Sequence, residues 1–417
     1  MSPFTRRDFL RVAGASATVA LLPGSLRAQA ATGRVVVVGG GFGGGTAAKY
    51  LRLWSPDVHV TLVEPDPTYH SCVLSNLYYP GRIPLDFLET PYDGLVGRGV
   101  ELVQDRAIEV DTGSHTVTLG GCQRLSYDKL VVAPGIDFVL PPGLEEPDAQ
   151  RKVPHAWKDV AEQAPLLRSM LRAMPDGGTF ALTVPPLPYR CPPGPYERAC
   201  MIASYLRRSK RRSKVIVLDA NPGIVAKPEI FRHAFDVTHR GFVEYHPNAP
   251  VLSVDPDSRS VTTTIGTIQA DVINVIPPQR AGQIAFDAGL VSVNGRWAGV
   301  DEQTFEATAA PDVFVIGDSN GAAVGKSGHF ANSEGKIVAS AIGAQLAGES
   351  ENASPVLGNV CYSAITLSTA SWFTNHMRYE GGRMVTIPES VTEGEPKTDN
   401  FERMFGWGRN LWADSLG

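Results

Sequence analysis

Apolar residues fall into two repeating patterns along this chain, and then lose their rhythm. Residues 34–64 open with four consecutive valines, Val35–Val38. The absence of alternation predicts a strand buried on both faces, because β-branched residues suit the pleat. A glycine turn, Gly39-Gly-Gly41-Phe-Gly-Gly44, leads into an alanine-rich helix, and a second apolar strand, Val60–Val63, ends on Glu64. The same rhythm recurs downstream: a strand at Thr179–Val184, a helix over Glu197–Leu206, and a strand at Lys214–Asp219. Short strands are also predicted at Val100–Val103, at His115–Leu119, in the run from Tyr127 to Gly135, and before Gly317. After residue 355 the pattern becomes an irregular aromatic-rich tail, whose Trp372, Phe373, Phe401, Phe405, Trp407 and Trp412 are expected to pack on the body.

The glycines of the first unit have separate tasks. Gly39 makes the tight turn, Gly41 lets the backbone approach a pyrophosphate, and Gly44 lets helix and strand pack closely. The pyrophosphate would sit on the helix N-terminus, where free N–H groups and the dipole favour negative charge. Glu64, 20 residues beyond Gly44, stands where a ribose is bound. A second nucleotide signature, Tyr127 to Gly135, ends on a glycine that permits close approach of the backbone. In the third, a strand delivers Gly317-Asp318 at its carboxyl end, and Asp318 would accept hydrogen bonds from a ribityl chain. NAD has no ribityl chain, so the ligand expected is FAD.

The second unit lacks its phosphate turn. Where glycines would stand are Pro185, Pro186, Pro188, Cys191, Pro192 and Pro193. Proline offers a phosphate no N–H, so nicotinamide is not the expected electron partner. Cys72 lies in the loop after Glu64, along the expected ligand, either as a plain cysteine or in contact with the cofactor.

With 417 residues there is room for two or three domains. A net charge of −5 argues against nucleic acid, and it falls to −8 without the charged residues of 1–30. Those first residues carry Arg6-Arg7-Asp8-Phe9-Leu10, a weakly apolar stretch and Ala28-Gln29-Ala30, the pattern of a twin-arginine export signal. A periplasmic protein beginning near Ala31 is expected, with no membrane span, because no run of 18 apolar residues follows. In that oxidising compartment the five cysteines, Cys72, Cys122, Cys191, Cys200 and Cys361, are free to form disulfides, and the odd count leaves at least one unpaired. No C-x-x-C or C-x-x-C-H occurs, so neither a metal site nor an attached haem is expected. The basic run Arg207–Lys214 is a solvated loop or a docking patch for an acidic partner.

Several stretches together resemble one family across residues 31–417: Gly39 to Lys49, Cys72-x-Leu-Ser-Asn76, Arg190-Cys-Pro-Pro-Gly-Pro-Tyr-Glu-Arg198, Ile276-Pro-Pro-Gln-Arg-Ala-Gly282, Lys326-Ser-Gly328 and Cys361-Tyr-Ser363. The chain is similar to the flavoprotein subunit of flavocytochrome c sulfide dehydrogenase, including the related flavoprotein of sulfur-oxidation clusters. The resemblance implies an α/β, glutathione-reductase-like fold of two Rossmann-type units with a C-terminal interface segment. Residues 31–150 and 280–355 would bind FAD, 151–279 would form a degenerate nucleotide-binding unit, and 356–417 the interface.

It also implies roles for particular residues. Cys72 would carry FAD through its 8α-methyl group, and Cys191 and Cys361 would form a redox-active disulfide over the flavin ring. Glu197 and Trp407 would lie near that ring, and Lys326-Ser327-Gly328 would approach it. Sulfide would be oxidised to sulfur or polysulfide, with electrons passing to a c-type cytochrome subunit that carries the haem. Three positions depart from the family pattern: Cys122, Cys200 and His329. A Cys191–Cys200 bridge therefore stays open as a rival, as does a purely structural Cys191–Cys361 bridge. Glu197 would assist proton transfer or serve as a helix-start carboxylate. The competing activities are a sulfide:quinone oxidoreductase, an activating or repair flavoprotein of a periplasmic sulfur-oxidising system, and a non-catalytic flavin-binding subunit.

Overall fold

A computed structural model describes residues 32–417, so the export signal expected over residues 1–30 lies outside the described part. β1 (Gly33–Val38), α1 (Phe42–Trp54) and β2 (Val58–Val63) form the expected unit, followed by β3 (Glu101–Val103) and β4 (Lys129–Val132). These strands are parallel, in the order β4-β1-β2-β3, and Val313–Val315 adds beside β4 from far downstream. The unbroken valine run has a direct cause. Val35 and Val37 enter a core with Ala47 and Leu51 of α1, whereas Val36 and Val38 enter another with Val110, Val117 and Leu119 of a small antiparallel sheet. Because β1 has β2 on one side and β4 on the other, a crevice opens at its carboxyl end, where such sheets bind ligands.

The second unit contains β5 (Thr179–Val184), α2 (Gly194–Ser209), β6 (Lys214–Asp219), β7 (Val243–His246) and β8 (Val272–Asn274). Its parallel sheet runs β7-β6-β5-β8. α2 is longer than expected at both ends, so Arg207 and Arg208 belong to its last turn, where cations suit the helix dipole. Three more of the basic side chains are held internally: Lys210 Nζ donates to Arg172 O at 3.0 Å, and Arg212 and Lys214 pair with Asp176 and Glu244 at 3.0 and 2.7 Å, while Arg211 is exposed. The run is a solvated boundary between helix and strand.

The chain then supplies β9 (Val313–Val315) to the first sheet and continues into α3 (Gly328–Ala347). Beyond residue 355 the irregular tail that was expected is regular. β10 (Val356–Ala364), β11 (Ala370–Glu380), β12 (Arg383–Thr386) and β13 (Thr392–Lys397) build an antiparallel sheet, and α4 (Thr398–Leu416) closes the chain. Gly406 and Gly408 weaken the local helix preference of α4. Burial of Phe401, Met404, Gly408, Leu411, Trp412 and Ser415 along one stripe supplies what propensity lacks. The described residues pack as one compact unit, and no helix among them is long and apolar enough to cross a membrane.

α4 is fastened to the cofactor-side helices. Lys49 Nζ of α1 donates to Ala413 O at 2.8 Å, and Lys336 Nζ and Tyr50 Oη reach Asp414, each at 2.6 Å. The Trp412 indole N–H donates to Ser71 Oγ at 2.8 Å, which ties α4 to the loop carrying Cys72. Trp412→Ala removes a buried indole and this bond, and is expected to destabilise the fold by about 3 kcal/mol or more. Chemical denaturation measures this, and a loss below about 1 kcal/mol would show that α4 is not docked as described.

Candidate active site

The first cavity, about 610 Å³, opens at the carboxyl end of β1 and is lined by Gly39–Gly43, Glu64, Tyr69, Cys72, Gly135, Gly317 and Asp318. Gly39 has φ +99°, and a Cβ there would lie 2.4 Å from Ala133 O. A Cβ on Gly44 would lie 1.9 Å from Gly39 O, so no other residue lets α1 sit this close to its strand. Gly41 differs: the nearest atom to a Cβ there is a Tyr69 ring carbon at 4.0 Å, and the residue is the N-cap of α1. Its open side faces the cavity, as a phosphate cradle at a helix N-terminus requires. The Glu64 carboxylate accepts from Gly40 N–H at 2.7 Å and from Asp66 N–H at 3.2 Å. Burial pushes its pKa up and those two bonds pull it down.

The second cavity, about 420 Å³, shares Cys72, Val160, Arg190 and Gly328 with the first. Together they make one elongated cleft with Cys72 at its waist. Beyond the waist the walls carry Cys191, Glu197, Lys227, Lys326, Ser327, His329, Cys361, Tyr362 and Trp407. Trp157 and Trp407 present buried indole N–H groups there with no protein acceptor among the described residues, a cost of about 1–3 kcal/mol each unless a polar ligand accepts from them. The glycine cradle at one end and these donors at the other fit a long ligand such as FAD.

Cys191 sits in the proline loop, with φ +55°. Its N–H donates to Lys326 O at 2.8 Å, and its carbonyl accepts from Gly194 N–H at 2.8 Å. A Cβ on Gly194 would lie 2.6 Å from the Trp157 ring and 3.0 Å from Cys191 Sγ, which fixes glycine at the start of α2. Cys361 comes from β10, opposite Phe373 of β11. Glu197 stands in the first turn of α2, and its two carboxylate oxygens accept from Asn76 Nδ2–H at 2.9 Å and Ala364 N–H at 2.7 Å. Arg198 Nε donates to Asn76 Oδ1 at 3.1 Å, which orients that amide. Trp407 is brought in by α4, its ring 5.5 Å from that of Tyr362.

All five cysteines are unbonded thiols in this structure. Burial pushes the Cys191 thiol well up; the charges of Cys361, Glu197 and Cys72 raise it further, and Arg190 opposes them. Burial also raises Cys361, with Lys227 pulling down. Cys200 is buried in the core on α2 and lines neither cavity, and Cys122 is exposed in a turn. The rival Cys191–Cys200 bridge therefore has only one partner at the site. His329 Nδ1 accepts from Val360 N–H at 2.9 Å.

Known proteins resemble parts of this chain. Residues 164–277 match the family described as sulfide dehydrogenase (flavocytochrome c) flavoprotein chain, central, and residues 33–167 match pyridine nucleotide-disulphide oxidoreductase. The sulfide dehydrogenase (flavocytochrome c) flavoprotein chain of Chlorobaculum thiosulfatiphilum is 60% identical over 45 residues, which is 11% of this chain and 94% of that sequence. These two matches support a sulfide-oxidising flavoprotein family. The mitochondrial sulfide:quinone oxidoreductase of Mus musculus is 24% identical over 297 residues, 68% of this chain. The match spans 65% of the mouse protein's length. The sulfide:quinone oxidoreductase structure from Aquifex aeolicus superimposes with a TM-score of 0.76 at 18% identity, covering 92% of this chain and 91% of its own. The fold is thus the α/β disulfide-oxidoreductase architecture, and these likenesses support FAD as the ligand of the cleft.

Every site residue expected for such a flavoprotein, apart from Gly44 behind the cradle, lines one of the two cavities. Three further groups escaped the sequence. Arg190, 4.0 Å from Asp318, stands at the waist of the cleft. Trp157 walls the part that holds Cys191 and Cys361, and Lys227 reaches the same part from the loop after β6. The one sequence sign for Lys227 was a lysine directly before the proline that starts a helix.

Behind Asp318, Glu334 accepts from Gly317 N–H at 2.5 Å and from Asn320 Nδ2–H at 3.0 Å. Burial pushes its pKa up from 4.5 to about 8 against those bonds and Lys326. The folded protein therefore keeps a proton that the unfolded chain releases, so this contribution is full below about pH 4.5 and is lost as pH rises through about 8. Glu334→Gln keeps an acceptor for Gly317 without that proton. Its melting temperature is expected to gain on wild type between about pH 5 and pH 8, and parallel profiles would refute the assignment.

Proposed function

We propose that this chain is a periplasmic, FAD-dependent sulfide dehydrogenase of the flavocytochrome c type, oxidising sulfide through a Cys191–Cys361 disulfide and passing electrons to a c-type cytochrome subunit. One observation carries the reading. Cys191 and Cys361, delivered by separate units of the fold, face the same cavity, and that cavity runs past Cys72 into the glycine cradle. FAD, when bound, takes up an electron pair and releases electrons singly, as haem acceptors require.

The chain's own groups then have definite tasks. Gly39, Gly41, Glu64, Gly135, Gly317 and Asp318 wall the nucleotide and ribityl part of the cleft, with Gly44 behind the turn, and Lys326, Ser327 and Gly328 wall the ring part. Cys72, at the waist, is the tether to the 8α-methyl group, which would retain the cofactor outside the cytoplasm. Hydrosulfide attacks one sulfur of the disulfide; the S–S bond breaks, leaving a persulfide on that cysteine and a thiolate on the other. Burial raises the pKa of the Glu197 carboxyl against its bonds to Ala364 and Asn76, which suits it to proton exchange beside the cysteines. In the second βαβ unit the acid placed to bind a nicotinamide nucleotide's ribose is already engaged. The Asp219 carboxylate at the end of β6 is taken by Tyr196 Oη at 2.7 Å, Tyr245 Oη at 2.8 Å and Asn221 N–H at 2.8 Å.

A second reading, transfer to a quinone, is favoured by the apolar wall that Phe373 and Met377 of β11 give the cavity. Anaerobic titration separates the readings. Sulfide is expected to bleach the flavin of wild type, and reoxidation by cytochrome c is expected to outpace reoxidation by decylubiquinone; the reverse order would install the quinone reading. Bleaching only by protein-bound sulfur would indicate a repair flavoprotein, and no bleaching by either a non-catalytic subunit. Cys191→Ser should abolish bleaching by sulfide while the flavin stays bound; normal bleaching sinks the disulfide. Cys72→Ser should release the flavin into the supernatant on acid precipitation, whereas wild type keeps it in the pellet; free flavin from wild type would remove the covalent link.

A further inference from the structure

Lys227 stands directly before Pro228 with φ +49° and ψ +53°, at the start of the short helix Pro228–His233. A residue preceding proline is biased away from helical conformations toward extended ones, so the surrounding structure must impose this backbone. The side chain is buried, 6% exposed. Its ammonium donates to Ser363 Oγ and Ser371 Oγ, each at 3.1 Å, and to Cys361 O at 3.4 Å, all from β10 and β11. These three acceptors are neutral, and no carboxylate bonds to the ammonium among the described residues. Burial pushes the Lys227 pKa down and the negative groups around it push it up, so an anion close by is what keeps the ammonium charged.

The groups of negative sign facing it are Cys361 from β10, Glu197 from α2, Cys191 from the proline loop and Glu393 from β13. Both Glu197 oxygens are already bonded to Asn76 and Ala364, and Glu393 is exposed to solvent. The cysteine sulfurs remain, and Cys361 is the one whose own strand binds the ammonium.

We infer that Lys227 is the positioning cation of the cysteine pair, holding negative charge on the sulfur of Cys361 as thiolate or persulfide anion. The thiolate half stands on geometry; the persulfide half rests on the sulfide reading above. In that reaction hydrosulfide bonds to Cys361 Sγ, and the bond to Cys191 Sγ breaks with its electron pair going to Cys191. The hydrosulfide proton passes to the Cys191 thiolate, and the anion left on the Cys361 persulfide lies beside Lys227. Burial and Glu197 disfavour charge on both sulfurs, Arg190 favours it on Cys191 and Lys227 on Cys361, and Cys191 is pushed up the further of the two.

The test uses full-length, FAD-loaded protein reduced with dithiothreitol. Alkylation of Cys361 by iodoacetamide is followed against pH by peptide mass. Lys227→Gln keeps donors for the two serines but removes the charge, and is expected to move the Cys361 midpoint up by roughly one pH unit, about tenfold slower near neutrality. Lys227→Arg, which restores the charge, is expected to keep the midpoint near wild type. A purely structural lysine predicts the opposite, with Gln tolerated and the profile unmoved, and that result overturns the inference. The two readings fail separately. A shifted alkylation profile in a protein whose flavin sulfide does not bleach leaves Lys227 standing and removes the sulfide reading. Bleaching in wild type with identical alkylation profiles removes Lys227 alone.

Discussion

The two oxygens of one carboxylate hold this site together. Glu197 projects from the first turn of α2 and accepts from Asn76, in the segment that follows Cys72, and from the backbone N–H of Ala364, three residues past Cys361. One side chain thus draws the Cys72 loop, the Cys191 loop and β10 to a common point. Its burial is tolerable because both oxygens are bonded, with Lys227 and Arg198 adding favourable charge. Arg198 in turn orders Asn76 and lies over the rings of Tyr79 and Trp157, at 5.0 and 4.9 Å from their centres. The geometry around the sulfurs is set by this network rather than by any local preference of the loops.

The rest of the fold serves the same cleft. The first sheet supplies a cradle that only glycine can form, because the backbone of α1 nearly touches the turn below it. The second sheet keeps the strand–helix–strand architecture but spends its terminal acid, Asp219, on Tyr196 and Tyr245. The loop where a second nucleotide's glycine turn would stand carries Cys191 instead, held by Lys326 O and Gly194 N–H. α4 then crosses behind α1 and α3, held by Asp414 and Trp412, and carries Trp407 to the cavity wall. The cysteine-bearing part and the glycine-cradle part of the cleft thus share one continuous wall, with Cys72 and Arg190 common to both.

Much of this was legible in the residues. The Val35–Val38 run, the spacing of Gly39, Gly41 and Gly44, and the Gly317-Asp318 strand end are local signals, set by backbone sterics and by burial on two faces. The proline-bound Cys191 was legible for the same reason, since proline cannot cradle a phosphate. The regular structure beyond residue 355 was not legible. Gly406 and Gly408 mask the helical stripe of α4, and the stripe becomes meaningful only against the faces of α1 and α3. Lys227 was invisible too, because a lysine in a loop reads as solvated until β10 and β11 close over it.

By itself the sequence determined the first βαβ unit, its dinucleotide cradle and the loss of a second one, because each follows from backbone permissions confined to a few neighbouring residues. Only the tertiary structure decided which cysteines meet and which charges face them. Those contacts join segments more than a hundred residues apart, through the Glu197 hydrogen bonds to Asn76 and Ala364 and through the burial of Lys227 beneath two strands. No local pattern encodes such partners; desolvation and close packing select them once the sheets are in place.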